Sequence, residues 1–418
     1  MLSSDRASAA TDLQRAFANL TELLCRYKAL WTESAFVQDE LSWPSDDSDL
    51  HQALLALTES DLQRLEGEAE LRRYLASHLP DLKALDEHTV ATSTPGGWQA
   101  PEEAALGVPG RKKSQIEGFV SALLGSEIGL SRDSRIVDWC SGRGFLARAM
   151  HAASGARILC LERDVQLHHS ALPEAISFLA HDVLQPLHPS YLQDSHLHTA
   201  LHACGDLHLS MLCQAATAGV PALACSPCCY HFTSDEVYYG LSLRARSAGL
   251  HPTRDELRLA TAEVATANSL DRELRQRERL WRVAFDLHLR DLRGVDAYSR
   301  TPSVRKSLLK TNFNTFAQSL VDALERKGRR DFDFLPLSER AEAELLERAR
   351  SKLSILSRLE KAQLAFREPL ERWLLLDRAL FLQEHGYQVQ IQHFCAKHHT
   401  GRNHLILARR SRSLPSGE

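Results

Sequence analysis

At the beginning of the chain, the pattern of apolar and polar positions predicts helices. Over residues 13–27, apolar side chains recur at intervals of three and four, and a less regular helical pattern continues to about residue 87. The stretch 88–102 contains the turn-forming run Ser-Thr-Pro-Gly-Gly and predicts an exposed linker. The first part of the chain therefore predicts a helical region that ends at a loop.

From residue 109 the pattern changes to short apolar runs that alternate with helical segments. A helix is predicted at about 113–124, and a second one follows a glycine turn and ends near residue 153. The predicted strands are 135–139, 157–162, 176–180, 197–202 and 222–226. Strands that alternate with helices indicate a parallel sheet wound in the right-handed sense.

Residues 233–368 return to a helical pattern, which is long for a single connection. The pattern includes a predicted arginine-rich helix at 270–292 and another helix at 304–326. We therefore expect a helical insertion inside the sheet domain.

A helix, a glycine and two strands complete the pattern. The helix predicted at 370–384 is followed by Gly386, since glycine readily adopts the left-handed conformation that ends helices. Strands at 387–395 and 404–408 flank a polar turn and predict a hairpin, which adds an antiparallel edge to the sheet. The residues after Arg410 are predicted to be disordered.

Composition narrows the class of protein. The chain has 418 residues, 44% hydrophobic and 25% charged, which is ordinary for a globular protein of one large or two modest domains. No apolar run approaches the ~20 residues that cross a bilayer, and charged residues near the beginning argue against a signal peptide. We predict a cytoplasmic protein that does not associate with membranes.

Cysteine usage and charge distribution add two expectations. The nine cysteines are an odd number and lie in or beside apolar runs, which favours reduced thiols over disulfides. The net charge is -4, but arginines concentrate in 272–282 and 402–412. Such basic runs are compatible with nucleic-acid binding, and they are also typical of solvated helix faces.

The strongest local motif is Val-Asp-Trp-Cys-Ser-Gly-Arg-Gly-Phe at 137–145, between a predicted strand and a predicted helix. Glycines there let the backbone approach a ligand, and the helix N-terminus offers free N–H groups. Glu162, about twenty residues past Gly142, stands where an acid holds ribose hydroxyls. The same spacing fits a dinucleotide site, so the turn alone leaves two cofactor classes open.

Two further loops carry unusual side chains. Leu-His-Ala-Cys-Gly-Asp-Leu, residues 201–207, follows the fourth predicted strand, and Cys-Ser-Pro-Cys-Cys-Tyr-His, residues 225–231, follows the fifth. In a parallel sheet both loops lie at the carboxyl edge, where ligands bind. Adjacent strands would bring them around one crevice.

These two loops resemble a methyltransferase-domain family of bacteria and eukaryotes. The family includes the glutathione S-transferase C-terminal-domain-containing protein and relatives of tRNA 2′-O-methyltransferases that act near the acceptor stem. Its Lys-Lys pair before the first strand is matched by Lys112 and Lys113. The resemblance covers 109–232 and 370–410 and implies the strand order 3-2-1-4-5-7-6. Cys140 departs from it, because many methyltransferases have a glycine there, although a small residue still fits the turn.

With the hairpin, two acids favour S-adenosylmethionine over a dinucleotide. Asp138 ends the first strand, where methyltransferases face the methionine portion of the cofactor, and Asp182 follows the third strand, where an acid can accept the adenine amino group. The predicted cofactor-binding residues are Asp138, Cys140, Gly142, Gly144, Glu162, Asp182 and His202.

The remaining site residues are assigned to the acceptor side. Asp206 and His202 are candidates for a general base, needed only if the acceptor must lose a proton. The predicted substrate-binding residues are Lys112, Lys113, Cys228, Cys229, Tyr230 and His231. Catalysis would then consist largely of positioning the acceptor in line with the methyl group.

The cysteines of the crevice allow three interpretations. A zinc ion would use Cys228, Cys229 and His231 with Cys204 or His202, but adjacent cysteines rarely point to one metal. A reactive thiol would need a lowered pKa. Packing beneath the loop is the third interpretation, and no metal is assigned. Near the final hairpin, Cys395, His398, His399 and His404 allow a second metal site, although polar turns often collect histidines.

The fold class is therefore α/β: a doubly wound, Rossmann-like methyltransferase sheet with an antiparallel C-terminal hairpin, an N-terminal helical region and a helical insertion. The predicted boundaries are 1–97 for the N-terminal region, 109–232 for the first part of the core, 233–368 for the insertion and 369–410 for the C-terminal part.

We predict an S-adenosylmethionine-dependent methyltransferase that acts on RNA. Basic side chains would hold phosphates, and Tyr230, Phe232 or Trp281 could stack an unpaired base. A protein methyltransferase, with the acidic N-terminal helices gripping a basic partner, is one alternative. A cofactor-binding scaffold without turnover is another, and the oligomeric state stays open.

Overall fold

A computed structural model describes residues 2–32, 48–86, 92–93, 97–167, 173–262, 269–295, 298, 301–328 and 334–411. The chain forms two compact units. The sheet unit comprises residues 1–28, 81–266 and 366–418, and the helical unit comprises 29–80 and 267–365. The predicted boundaries near residues 97, 109, 232 and 368 stay predictions.

The α-helices are α1 (Leu2–Arg26), α2 (Lys28–Thr32), α3 (Ser48–Leu55), α4 (Glu59–Arg64), α5 (Glu68–Leu75), α6 (Glu102–Ala105), α7 (Gly110–Leu124), α8 (Phe145–Ser154), α9 (Pro189–Gln193), α10 (Asp206–Ala218), α11 (Leu243–Ser247), α12 (Ser269–Arg293), α13 (Phe313–Glu325), α14 (Glu339–Leu364) and α15 (Arg367–Glu384). The strands are β1 (Thr92–Ser93), β2 (Arg135–Trp139), β3 (Arg157–Glu162), β4 (Ile176–Ala180), β5 (Leu197–Cys204), β6 (Ala222–Cys228), β7 (Tyr387–His393) and β8 (His404–Arg410).

The sheet confirms the expected fold class. Its order is β1-β7-β8-β6-β5-β2-β3-β4, and β8 pairs antiparallel with both β6 and β7. Without the short β1, this is the order 3-2-1-4-5-7-6 that the family resemblance implies. Strands β2 to β6 run parallel, so their carboxyl ends lie along one edge.

Most predicted strands match the structure. β2, β3 and β4 have the predicted bounds, while β5 and β6 each continue two residues further, to Cys204 and Cys228. Gly386 has the left-handed conformation expected after the last helix, with φ 82°. These strands are short, mostly apolar segments between turns, which explains why the sequence predicts them well.

Three predictions need correction. The linker 88–102 is partly regular, because β1 pairs with β7 and α6 begins at Glu102, while 88–91 and 94–96 lie outside the described residues. The insertion is not helical throughout, since Val237 bridges Thr253 in an antiparallel pair. The segment 304–326, predicted as one helix, forms a 3-10 turn at Lys306–Lys310 and then α13. The side chain of Asn312 caps the N-terminus of α13. Most of the tail predicted to be disordered, 412–418, is not described.

One core of the sheet unit positions the edge described below. Side chains of helices α7 and α8 form it with those of β2, β3 and β4; Phe119 of α7, Ile136 of β2 and Ile158 of β3 are examples. Gly118 lets α7 pack closely against the backbone at Phe394, because a Cβ there would lie 1.8 Å from the Phe394 carbonyl oxygen. In the same unit α1 packs on α15, where the rings of Phe17 and Trp373 stack at 5.4 Å.

The helical unit has its own core. Apolar residues of α12, α13 and α14 form it, with the rings of Trp281 and Phe316 5.2 Å apart. Its lysine Lys361 is buried and donates to the carbonyl oxygens of Leu62 and Leu65. Among the described helices of the whole chain, none has the length and apolar character to cross a membrane.

Candidate functional site

The carboxyl edge of the sheet gathers the predicted site residues. Strands β4, β3, β2, β5 and β6 are neighbours in that order. The order of strands along the chain reverses between β2 and β5, and ligands of open α/β sheets bind at such a point. The glycine turn follows β2, and the two Cys/His loops follow β5 and β6, so all three meet around this position.

The glycine turn is held open toward a ligand. The N–H of Gly142 donates to Glu162 Oε2 at 2.9 Å, which joins the ends of β2 and β3. Gly142 and Gly144 have left-handed φ of 57° and 69°. A Cβ on Gly142 would meet nothing within 4 Å, whereas one on Gly144 would lie 3.1 Å from Phe178. The backbone at Gly142 thus faces open space.

Asp138 is a buried acid with one oxygen unused by the protein. It is 1% exposed, and its Oδ1 accepts from Thr199 Oγ1 at 3.0 Å. Its Oδ2 is buried without a hydrogen-bond partner. Burial raises the pKa of Asp138 to about 7, although the Thr199 hydrogen bond and the charge of Lys112 oppose the shift. Buried polar atoms are normally paired, so a ligand group is expected at Oδ2.

The other predicted cofactor and lysine positions differ in their surroundings. Asp182 accepts the Leu184 N–H at 3.1 Å and lies 3.9 Å from Arg163. Lys112 is exposed, and its Nζ lies 5.0 Å above the ring of Phe145 at the beginning of α8. Lys113 instead pairs along α7 with Glu117 at 3.8 Å. Lys112 therefore lies at the glycine turn, and the Lys113 charge is used within its own helix.

Three non-glycine residues with left-handed backbone mark the same edge. Among the described residues they are Cys140 (φ 55°), His202 (φ 62°) and Cys229 (φ 46°), at the ends of β2, β5 and β6. Such conformations cost about 1–3 kcal/mol each and cluster at functional sites. Burial, followed by the charges of Glu162 and Asp138, raises the pKa of Cys140 to about 12, so this thiol stays protonated.

His202 is oriented by a residue that the sequence did not single out. Its Nε2 lies 3.0 Å from Gln115 Oε1, and Gln115 Nε2 donates to the His399 carbonyl oxygen. Because Oε1 can only accept, Nε2 carries the proton and Nδ1 carries a lone pair. Nδ1 is buried without a partner. Burial, helped by the charge of Arg402, lowers the pKa of His202 to about 4 and keeps the ring neutral.

Asp206 anchors a loop. It is the first residue of α10, and its Oδ2 accepts the Ser234 N–H at 2.8 Å. Its own N–H donates to the Phe232 carbonyl oxygen at 3.0 Å. Gly205 makes this approach feasible, because a Cβ there would lie 1.9 Å from that oxygen. Asp206 thus ties the segment after β6 to α10.

Three cysteines form what we call the thiol cluster: Cys204, Cys228 and Cys229. Their sulfur atoms all lie within 4.8 Å of one another, and those of Cys204 and Cys228 are 3.3 Å apart. This is the one group of His, Cys, Asp and Glu side chains with metal-binding spacing that we find in the described residues. The second possible site, at Cys395 and the hairpin histidines, is not among such groups.

The aromatic residues of the second loop have different roles. Tyr230 is 3% exposed, and the guanidinium of Arg378 lies 5.0 Å from its ring. Its ring, like that of Trp281 in the helical unit, is buried and does not offer a stacking surface. Phe232 is 58% exposed and contacts the ring of His231, whose Nδ1 lies 3.3 Å from Thr261 Oγ1.

Thr199, Gln115 and Arg402 also lie at this edge, and no motif in the sequence pointed to them as site residues. Thr199 is the register partner of Asp138 in β5 and looks like an ordinary strand residue. Arg402 lies in the turn before β8, and its charge acts on His202, Cys204 and Cys229. Only its place in a basic turn signalled Arg402.

Comparison with known proteins gives a match for the part of the chain that carries most of this edge. Residues 111–236 match a family model described as a methyltransferase domain. The match spans fewer than half of the residues but includes the glycine turn and both Cys/His loops. It supports a methyltransferase enzyme. No curated protein matches the chain.

Proposed function

We propose that this protein transfers a methyl group from S-adenosylmethionine to an RNA acceptor. One observation carries the cofactor assignment. Asp138 keeps a buried, unpaired carboxylate oxygen beside a left-handed glycine turn whose N–H is held by Glu162. That combination suits a ligand with a cationic methionine portion and a ribose.

The residues of the edge fit S-adenosylmethionine. Open space at Gly142 leaves room for the ligand against the backbone. Each Glu162 oxygen accepts one backbone N–H, from Gly142 and from Asp164, which leaves lone pairs for ribose hydroxyls. Asp182 would accept the adenine amino group and Asp138 would face the methionine portion. When bound, the cofactor supplies an electrophilic methyl group.

The protein's own contribution to transfer is positioning and the removal of a proton. Gln115 holds the Nε2 side of His202, and the buried Nδ1 keeps a lone pair without a hydrogen-bond partner that could accept a proton. We therefore propose His202 as the candidate base for a hydroxyl acceptor. Asp206 positions the loop that carries Phe232 and contributes through that contact.

RNA is proposed from surface chemistry of the sheet unit. Phe232 offers an exposed ring next to the edge, and exposed Lys112 and Arg143 flank the glycine turn. Base stacking on aromatic rings and phosphate contacts to cations are the usual means of binding unpaired RNA. The arginine-rich α12 supports RNA less than its composition suggests, because Arg279, Arg282 and Arg290 pair with acids of the helical unit.

A location in the cytoplasm accompanies the proposal. All nine cysteines are free thiols in the structure. Free, largely buried thiols are typical of a reducing compartment.

The test measures cofactor binding and methyl transfer separately. We would compare the wild type with Asp138→Asn and Glu162→Gln, and use Glu174→Gln, an exposed acid before β4, as the matched control. Calorimetry measures S-adenosylmethionine affinity, and tritium from the labelled cofactor is followed into a fractionated cell extract. We expect label in RNA with the wild type and the control, and loss of label with both site variants.

Other distributions of label would redirect or refute the proposal. Label in polypeptides would replace RNA by a protein substrate, and bound cofactor with no label in any fraction would indicate a scaffold. RNA binding should also weaken steeply as salt rises, since phosphate contacts release counterions. An affinity independent of salt would count against RNA.

A further inference from the structure

The proposed methyl transfer assigns no proton or methyl group to the thiol cluster, and the cluster has the composition of a metal site. We propose that Cys204, Cys228 and Cys229 bind a zinc ion through three sulfur atoms, with a fourth position open to an exogenous ligand. Zinc prefers thiolates in tetrahedral geometry, and thiolate-rich sites select zinc over harder cations such as magnesium.

The backbone explains how two adjacent cysteines reach one point. Successive side chains of a strand point to opposite faces, so Cys228 and Cys229 would diverge if the strand continued. Cys229 instead has φ 46°, a conformation rare outside glycine, and its sulfur lies with those of Cys204 and Cys228. The strained backbone at Cys229 therefore lies at the position where its sulfur must turn toward those of Cys204 and Cys228.

The third sulfur is delivered by an irregularity in β5. The register between β5 and β6 shifts between Leu201 and Cys204, and Cys204 then pairs with Cys228. Gly205 donates its N–H to the Cys228 carbonyl oxygen at 3.0 Å, and Phe232 donates to that of Cys229 at 2.8 Å. Backbone hydrogen bonds thus hold both cysteine-bearing loops before any metal binds.

The charges around the cluster suit three thiolates and a dication. Three thiolates and Zn²⁺ sum to a single negative charge, and Arg402 lies close enough to act on Cys204 and Cys229. Zinc binding would release the protons of the thiols that become thiolates.

The open fourth position follows from the ligand count. Across the described residues, no fourth His, Cys, Asp or Glu atom joins the three sulfurs within 4.8 Å. His202 and His231 each lie two residues from a cluster cysteine, but neither joins the group; His202 Nε2 contacts Gln115, and His231 Nδ1 contacts Thr261 Oγ1. Three protein ligands with one vacancy are the pattern of catalytic zinc sites, whereas structural sites use four.

The experiment measures metal content rather than activity. The full chain, purified under reducing conditions and dialysed against metal-free buffer, is analysed by inductively coupled plasma mass spectrometry. We expect one zinc per chain in the wild type and at least about a tenfold loss of zinc affinity in Cys204→Ser, Cys228→Ser and Cys229→Ser. Cobalt substitution should give thiolate-to-metal charge-transfer absorption that the same variants lose.

Two controls keep the result interpretable. Cys213→Ser, in a half-buried position of α10 outside the cluster, and His231→Ala should both retain zinc. Thermal denaturation reports whether the serine variants remain folded, so zinc loss in a folded variant supports the proposal. Equal zinc in the wild type and Cys228→Ser, or none in a folded wild type, would overturn it. Zinc loss in a folded His231→Ala would overturn the open position. Neither readout depends on RNA methylation.

Discussion

Two buried aspartates of the sheet unit, Asp138 and Asp377, show how one residue type serves two purposes. Asp138 is 1% exposed and Asp377 is fully buried. Asp377 accepts hydrogen bonds from the Tyr238 hydroxyl, the N–H groups of Leu241 and Ser242, and the Ser242 hydroxyl. Asp138 accepts from one threonine and leaves an oxygen unpaired.

Their neighbours differ in the same way. Asp377 lies 3.6 Å from Arg378, whose guanidinium donates to His208 Nε2 and to the Tyr238 hydroxyl. This hydrogen-bond network joins α15 to residues 238–242. At the carboxyl edge, by contrast, strained backbone and unpaired atoms are retained. The difference fits a structural role for Asp377 and the ligand-binding role that we propose for Asp138.

The largest effect is expected at Asp377. Asp377→Ala would leave Arg378 buried without its carboxylate and would remove the acceptor of four donors. We expect a loss of about 3–5 kcal/mol in the free energy of unfolding, the usual cost of removing one partner of a buried pair. Urea denaturation measures it. A loss below about 1 kcal/mol would show that the network is not structural.

A pH dependence of stability should distinguish Asp138. Burial raises its pKa from the ordinary 3.8 to about 7 in the folded state. Between these values the unfolded chain binds fewer protons than the folded one, so stability falls as pH rises from about 4 to about 7 and then levels. Relative to Asp138→Asn, we expect the wild type to lose about 2–4 kcal/mol over this range. Parallel pH profiles of the two proteins would contradict the raised pKa.

The corresponding binding effect is somewhat smaller. Asp138→Asn should weaken the binding of S-adenosylmethionine by about 10–100-fold, because a hydrogen bond to a charged group contributes about 1.5–3 kcal/mol. At neutral pH the variant should unfold no more easily than the wild type. Calorimetry and thermal denaturation give the two values. A variant that binds normally but is less stable would make Asp138 resemble Asp377.

The smallest effect is expected for Thr199→Val, which removes the one hydrogen bond to Asp138 and keeps the shape of the side chain. The loss should be about 1 kcal/mol in the free energy of unfolding. Without that donor, the pKa of Asp138 should rise further, moving the decline in stability to higher pH. An unchanged pH midpoint would show that Thr199 does not tune this acid.

Much of the sheet was predictable because buried strands have local patterns. β2, β3 and β4 are short, mostly apolar segments, and their bounds agree with the prediction. β1 has only two residues and pairs with β7, which is far away in the chain, so no local pattern could reveal it. The bridge between Val237 and Thr253 joins a single pair of residues, so it too leaves no pattern in the sequence.

The site was predictable by position more than by contact. The edge that carries Glu162, His202 and Cys228 follows from motifs placed after strands. Which partner each side chain meets was not predictable: Asp206 bonds to a loop N–H, and Lys113 pairs along its own helix. The roles of Asp206 and the other site residues in binding and catalysis stay predictions.

By itself, the sequence determined the order of strands and helices, the glycine turn and the residue types available at the carboxyl edge. Hydrophobic periodicity and turn chemistry are local properties, so they can be read from neighbouring residues. Only the tertiary structure decided that Asp138 keeps a free oxygen and that three sulfurs converge. Those outcomes depend on strand register, left-handed backbone at Cys229 and burial, which residues distant in the chain impose together.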